Sequence, residues 1–226
     1  MPDDSSLDIT GVGKIARAIP AKAWTQVVDT ACTTFREVIA PLTSLSSGVG
    51  RLIDAKFDRL VEAEKVLVAD TFSKACEKVK ARSQRKLAPP NARILIGVID
   101  GTSIETDLLL RELWANLLAR EIASGAVHPE FPSILARLSA QDAQTLAQIA
   151  ESTGSKDAAM KATVSKVLVS FSLLGMELEF KRDTSFNHEH LKALALIERA
   201  GGRWSLTLTG QEFLKVVGGD IGTSAA

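Results

Sequence analysis

The stretch from Leu108 to Leu138, LLLRELWANLLAREIASGAVHPEFPSILARL, carries the most specific pattern in the chain. Its first half repeats apolar residues at spacings of three and four, the period of an amphipathic helix. We therefore predict a helix with one face in a core, ending near Gly125 because glycine tolerates the left-handed backbone of a helix end. The residues that lie largely off the apolar stripe are Arg111, Glu112, Asn116 and Arg120.

Four polar residues in or just before this helix need separate interpretation. Thr102, followed three residues later by Glu105, predicts a capping box at its start. Glu121 falls near the middle of the apolar stripe, and we interpret it as the point where the stripe reaches the surface. Asn116 is available for contact if exposed, whereas a buried Asn116 has to hydrogen-bond to the backbone.

The second half of the stretch carries two prolines close to a helix start. A residue before proline is displaced from helical geometry, so we expect His128 to precede the helix and Pro129 to occupy its first position. Pro132 then falls among the first four residues, whose N–H groups lack helical partners anyway. The expected buried face consists of Phe131, Ile134, Leu135 and Leu138.

This constellation resembles the bacterial abortive-infection alpha family. The family pattern reads leucine, arginine, glutamate, any, aromatic, alanine, asparagine, leucine, leucine, alanine, then histidine-proline, then leucine-serine with an acidic residue. In this chain it corresponds to Leu110–Ala119, His128-Pro129 and Leu138–Asp142. Further similarity runs from Pro89 to about Phe213. The motif residues that we single out for a structural or contact role are Arg111, Trp114, Asn116, Leu117, His128 and Pro129.

The resemblance implies a part in bacterial defence against phage, without any assigned chemistry. It therefore supplies no catalytic, cofactor-binding or metal-binding residue. The chain departs from the family pattern at Trp114, where phenylalanine is common, and at Arg120-Glu121, where small residues are common.

Composition indicates a globular, mainly α-helical protein. Apolar residues make up 46% of the 226 residues, and tyrosine is absent, so leucine, isoleucine, valine and alanine have to fill the core. Lysine plus arginine equals aspartate plus glutamate at 27 each, so no global field favours nucleic acid or membrane. Two cysteines, an acidic start and the lack of a long apolar run predict a cytoplasmic protein without a transmembrane helix.

We divide the chain into a flexible lead (1–19), an N-terminal helical region (20–88), a central helical pair (89–138), a C-terminal module (139–217) and a loose tail (218–226). In the second region, Pro20 opens a helix that Pro41 ends, and 42–50 is a loop. A helix from about 49 to 85 follows, as a helical-hairpin arm or an oligomer contact, with a break near 69–71 as the alternative. Periodicity alone does not distinguish a helix from a strand at 94–99. Pro90 before this run and the family resemblance favour a helix.

The C-terminal module combines helices with a small β-ribbon. We expect helices at 140–151, 156–174 and from Ser185 to about 195, with a strand at 176–180 and a box of Ser139 with Asp142 opening the first helix. A ribbon then turns at Gly201-Gly202, with alternating residues up to Leu208. Thr209 with Glu212 predicts another capping box. This order of elements is typical of a winged helix-turn-helix.

Charge gives little support for nucleic-acid binding by this winged-helix-like module. Between 175 and 217 there are six basic and six acidic residues, so the net charge of this segment is zero. A second candidate for an anion or nucleic-acid contact lies at the end of the 49–85 helix, where a favourable helix dipole is the alternative explanation. Its residues are Lys80, Arg82, Arg85 and Lys86.

Three catalytic or metal-binding motifs are incomplete. Gly11–Lys14 lacks the serine or threonine and the preceding strand of a phosphate loop. His188 and His190 point about 200° apart on a helix, so one metal ion cannot easily take both. His128 with Glu130 could serve a hydrolase as base and acid, but no nucleophile motif accompanies them.

Two main hypotheses and a weaker third remain. The first is a non-enzymatic helical interaction protein of phage defence, with a protein partner or self-association and no cofactor. The second is a nucleic-acid-binding regulator that uses the winged-helix-like module. The third is the hydrolase with His128 and Glu130.

Overall fold

A computed structural model of the protein describes residues 21–43, 47–82, 90–152 and 186–218. Helices dominate these residues and the only β-structure among them is one two-stranded ribbon, which confirms the prediction of a mainly α fold. The predicted lead, the helix at 156–174, the strand at 176–180 and the tail after Gly218 lie outside the described residues.

The described elements follow one another in this order: α1 Ala21–Thr43, α2 Ser47–Asp58, α3 Glu62–Arg82, α4 Ala92–Ser103, α5 Leu108–Ser124, α6 Phe131–Leu135, α7 Ala140–Ser152, α8 Phe186–Ala193, β1 Ile197–Ala200, β2 Arg203–Leu206 and α9 Leu208–Val217. Their buried apolar side chains form one connected core, which extends from Ala31 in α1 to Val217 in α9.

A phenylalanine cluster joins the first three helices. Phe35 of α1 stacks on Phe57 of α2, with ring centroids 3.8 Å apart, and meets the edge of Phe72 of α3 at 5.1 Å. Near the other end of α1, the Trp24 indole N–H donates to the Glu62 carboxylate at 2.7 Å. These two contacts show that α1 and α3 lie side by side in the same direction.

The prediction of one helix from 49 to 85 is wrong, and so is the alternative break near 69–71. The chain turns at 59–61 instead, because Phe57 and Phe72 both have to reach Phe35 from separate helices. The Glu64 carboxylate accepts the backbone N–H of Val61 at 3.0 Å, which stabilises the start of α3.

The loop predicted at 42–50 is also shorter than expected. Helix α1 continues through Pro41 to Thr43, and α2 begins at Ser47. A proline in the last turn removes one backbone hydrogen bond without ending the helix at that residue.

Helix α5 lies at the centre of the molecule and packs against α3, α4, α6 and α9. Residues 113–119 are all buried, so the helix is enclosed on more than the one face that its periodicity predicted. Residues 94–99 lie within α4, which resolves the open choice in favour of helix. Gly101 of α4 lies directly against Trp114, since a Cβ atom there would approach the indole ring to 2.2 Å.

The helix starts differ from the predicted capping boxes at two places. Asp107, and not Thr102, caps α5, and its carboxylate accepts the N–H groups of Leu109 and Leu110 at 2.9 and 3.0 Å. Thr102 instead lies inside α4, where its hydroxyl donates to the Val98 carbonyl. Asp107 directly precedes the apolar run, so its carboxylate lies within hydrogen-bonding distance of the free N–H groups at the helix start.

The second wrong cap is at α9. Thr207 accepts the N–H of Gly210 at 3.0 Å, so the helix begins two residues before the predicted Thr209 box. Leu208 consequently belongs to α9 and is exposed, and not to the ribbon as its alternation suggested. The predicted turn is confirmed, because Gly201 and Gly202 have φ of 59° and 81° between β1 and β2.

The start of α6 is also displaced. The helix begins at Phe131, with Pro132 as its second residue, whereas Pro129 lies in the preceding turn. The Phe131 N–H donates to the carbonyl of His128, and this turn occupies the two residues that were expected to be helical. The predicted buried face of Phe131, Ile134, Leu135 and Leu138 is confirmed.

Candidate functional site

The motif residues on α5 are candidates for function, and two of them are fully buried. Trp114 and Leu117 each have 0% relative exposure and belong to the common core. The indole N–H of Trp114 has no hydrogen-bond partner within the described part of the chain. Both side chains therefore contribute packing to the centre of the fold.

Charged motif residues on α5 connect it to α3. Arg111 forms an ion pair with Asp70, which also pairs with Lys74 at 2.9 Å. About two turns beyond Asp70 on α3, Lys78 forms an ion pair with Glu112. The Arg111 side chain is only 14% exposed, so its charge is held in place between the two helices.

Asn116 connects α5 to the last helix of the chain. Its side-chain N–H donates to the Val217 carbonyl at 2.7 Å, and the residue is 6% exposed. Carbonyl groups at the end of a helix lack partners within the helix, so this bond satisfies one that would otherwise be buried unpaired. The structure thus gives Asn116 the backbone hydrogen bond expected of a buried amide.

The prediction that Glu121 lies at the surface is wrong. Its residue exposure is 0%, and its carboxylate accepts the backbone N–H of Asn91 at 2.6 Å and that of Val127 at 3.2 Å. Burial raises the pKa of Glu121, while the two hydrogen bonds act in the opposite direction. The position of Glu121 in the middle of the apolar stripe indicates burial. A carboxylate can be buried there because backbone N–H groups hydrogen-bond to it.

We expect the Glu121→Gln variant to remove one pH-dependent contribution to stability. Because the pKa is raised in the folded state, this contribution is fully present below the ordinary glutamate pKa and is lost as pH rises through the raised value. Glutamine does not titrate. Its side chain has one acceptor oxygen fewer than the carboxylate, which lowers the stability of the variant by an amount that does not depend on pH. Urea unfolding of both proteins between about pH 4 and pH 7 measures the difference.

The free energy of unfolding of the wild type, relative to the variant, should therefore fall as the pH rises through the raised pKa of Glu121. Groups elsewhere titrate equally in both proteins and cancel in this comparison. A difference that stays flat over the whole pH range would contradict the burial of this carboxylate.

His128 stabilises the entry to α6. Its Nδ1 atom accepts the backbone N–H of Glu130 at 3.3 Å, and its ring lies 5.8 Å from that of Phe131. His128 and Pro129 are both exposed. This bond involves the backbone of Glu130 and not its carboxylate.

A second buried carboxylate lies between α7 and α8. Asp142 is 3% exposed and accepts the N–H and hydroxyl of Ser139 at 2.9 and 2.8 Å, which confirms the predicted capping box. The same oxygen is 3.1 Å from Nδ1 of His190. His188 instead lies against Trp204, 5.3 Å away, so the two histidines face different neighbours.

The basic end of α3 falls only partly within the described residues. Lys80 is exposed, Arg82 is the last residue of α3, and Arg85 and Lys86 lie outside the described ranges. Within those ranges, no group of three histidine, cysteine, aspartate or glutamate residues is arranged to hold a metal ion. None of the described helices is both long and apolar enough to cross a membrane.

These observations define a mainly α-helical protein whose central motif helix is connected to its neighbours by buried and part-buried polar bonds. The family model for abortive infection alpha matches residues 63–217, and the chain belongs to that family. The match begins in α3 and therefore starts earlier than the similarity expected from Pro89 onward. No curated protein and no solved structure matches the chain.

Proposed function

We propose that this protein is a non-enzymatic helical interaction protein that acts in abortive infection of bacteria by phage. The observation that carries the proposal is the family match over residues 63–217. We further propose that it acts in the cytoplasm, through a protein partner or through a second copy of itself.

The internal contacts of α5 support a structural role for the motif. A catalytic residue has to present its reactive atoms to a substrate. Arg111 pairs with Asp70, Asn116 with the Val217 carbonyl, and Glu121 with two backbone N–H groups. The polar atoms that these bonds use are thus committed to the fold, which favours a scaffold over an enzyme.

The C-terminal part supports a contact role for a winged-helix-like module. Among the described residues, α7 and α8 precede the ribbon, which agrees with part of the predicted order of three helices followed by a ribbon. On the helices, Lys192 pairs with Glu189 at 3.5 Å and Lys215 with Glu212 at 2.9 Å. Both cations have an acidic neighbour, so the helices favour a protein contact over the nucleic-acid-binding regulator.

Phage plating tests the defence role. We expect cells that express the protein to give fewer plaques with some members of a broad phage panel, and infected cultures to stop growing before phage are released. Gly48→Ala should retain this protection, because a Cβ atom at Gly48 meets nothing within 4 Å. Gly210→Ala should lose it, since its Cβ atom would lie 2.0 Å from the Leu196 carbonyl oxygen. Equal plaque counts with and without the wild-type protein across the panel would overturn the proposal.

A further inference from the structure

The turn between α5 and α6, residues 125–130, is held by two titratable side chains. The Val127 N–H donates to Oε2 of Glu121 at 3.2 Å, and the Glu130 N–H donates to Nδ1 of His128 at 3.3 Å. Both distances lie at the long end of the range for an N–H donor, so both hydrogen bonds are weak. The turn therefore depends on two acceptors whose protonation changes with pH.

Protonation removes the acceptor in both bonds. An imidazolium carries a proton on each ring nitrogen, so Nδ1 of a protonated His128 cannot accept the Glu130 N–H. A protonated Glu121 keeps its carbonyl oxygen as a good acceptor, while its other oxygen carries the proton. Because the Asn91 N–H binds Oε1 at 2.6 Å, this shorter bond keeps the carbonyl oxygen, and Val127 loses its partner on Oε2.

The environment of Glu121 supports a coupling between protonation and the turn. Burial raises the pKa of its carboxyl group, while the N–H groups of Asn91 and Val127 lower it. Since the Val127 bond lowers the pKa, breaking this bond makes the buried carboxyl group bind a proton more tightly. Proton binding and release of Val127 therefore favour each other.

Neighbouring charges do not determine the pKa shift of Glu121. Among the described residues, its causes are burial and the two backbone N–H groups, and no charged side chain contributes. The charged group next to His128 in the turn is the exposed carboxylate of Glu130. The charged side chains on the helices that contact α6 are Arg93 and Asp100 of α4, Arg111, Glu112, Arg120 and Glu121 of α5, and Glu212 and Lys215 of α9.

The turn positions the start of α6 against α9. The Phe131 N–H donates to the His128 carbonyl oxygen at 3.0 Å, and the Phe131 ring meets the ring of Phe213 edge-on at a centroid distance of 5.6 Å. A turn that loses two of its hydrogen bonds allows Phe131 to shift relative to Phe213.

We propose that the α5–α6 turn is an acid-sensitive switch, in which protonation of Glu121 and His128 releases two backbone N–H groups and loosens the contact of α6 with α9. The released groups are those of Val127 and Glu130. Glu121 remains enclosed when the turn opens, whereas global unfolding exposes it to water. A fall in pH therefore favours opening of the turn, although the same proton stabilises the folded state relative to the unfolded one. The switch goes beyond the proposed function, which specifies no trigger.

Amide hydrogen exchange of the full-length protein, followed by NMR between about pH 4.5 and 8, tests the proposal. Each exchange rate is divided by the intrinsic rate at the same pH, so that the remaining protection reports local opening. We expect the protection of Val127 and Glu130 to fall about three- to tenfold towards the acidic end, the effect of losing one ordinary hydrogen bond. The Asn91 amide keeps Oε1 as its acceptor, so its protection should stay constant.

Two variants separate the two acceptors. In His128→Asn, the side-chain oxygen accepts the N–H two residues further on without titrating, so Glu130 protection should no longer depend on pH. In Glu121→Gln, one acceptor oxygen remains, so Val127 should show its acidic-end protection at every pH. Constant protection of Val127 and Glu130 in the wild type, a parallel loss at Asn91, or a pH response of Glu130 that persists in His128→Asn would each overturn the proposal.

Discussion

Replacing Trp114 with alanine is expected to lower the free energy of unfolding by about 3–5 kcal/mol, the range typical of a buried aromatic side chain cut back to alanine. The indole is fully buried in the middle of α5, and it fills the space opposite Gly101 of α4. Its loss leaves a cavity between two core helices that can collapse only partly. Urea unfolding followed by circular dichroism measures the change.

Gly101 provides a control that is specific to this contact. An alanine Cβ atom at Gly101 would lie 2.2 Å from Cζ2 and 2.4 Å from Cη2 of Trp114, both atoms of the six-membered ring. Gly101→Ala should therefore destabilise the wild type by about 1–3 kcal/mol and cost less in a Trp114→Phe background, where these ring atoms are absent. Strictly additive effects of the two substitutions would show that the side chains do not touch.

Replacing Gly210 with alanine is expected to destabilise the fold by about 3 kcal/mol or more, at the upper end of overpacking effects. The added Cβ atom would lie 2.0 Å from the Leu196 carbonyl oxygen and 2.9 Å from its carbon. These are backbone atoms, and the same oxygen accepts the Thr207 N–H at 3.1 Å, so it cannot rotate away. Relief requires α9 to move away from the start of the ribbon.

Gly48→Ala is the matched control for this substitution. The chemical change is identical and the residue also lies in a helix, but a Cβ atom there has open space around it. Because alanine favours helix, we expect no loss of stability and a gain of up to about 1 kcal/mol. Equal melting temperatures for Gly210→Ala and the wild type would show that α9 does not pack on Leu196 as described.

Local sequence signals predicted the central helices well. The apolar spacing of α5, the stop at Gly125 and the Ser139–Asp142 box all depend on residues within a few positions of one another. The buried face of α6 follows from the same kind of spacing. The sequence also carried enough of the abortive-infection alpha pattern for the family to be recognised.

Features that depend on distant residues could not be predicted in this way. The turn at 59–61 follows from two phenylalanines meeting Phe35, and nothing local distinguishes it from the alternative near 69–71. Asp70 was likewise not identified as the partner of Arg111, because the two residues are 41 positions apart. Pairings across such separations are set by tertiary packing, which overrides local pattern.

The sequence holds a signal for the roles of both Glu121 and Asp107, although the prediction placed Glu121 at the surface and the cap of α5 at Thr102. A carboxylate in the middle of an apolar stripe can be buried if backbone N–H groups surround it. Here Asn91, just before α4, and Val127, just after α5, donate these N–H groups. Asp107 stands directly before the apolar run and is a strong N-cap residue, which should have taken precedence over the more distant Thr102.

The most direct test of the central claim, that the motif helix α5 is enclosed in a helical core, is quenching of Trp114 fluorescence by iodide. The measurement uses a W24F/W204F background, in which Trp114 is the remaining tryptophan of the chain. We predict a blue-shifted emission that iodide scarcely quenches until urea unfolds the protein. Emission and quenching in the native protein like those of a tryptophan in water would contradict the account.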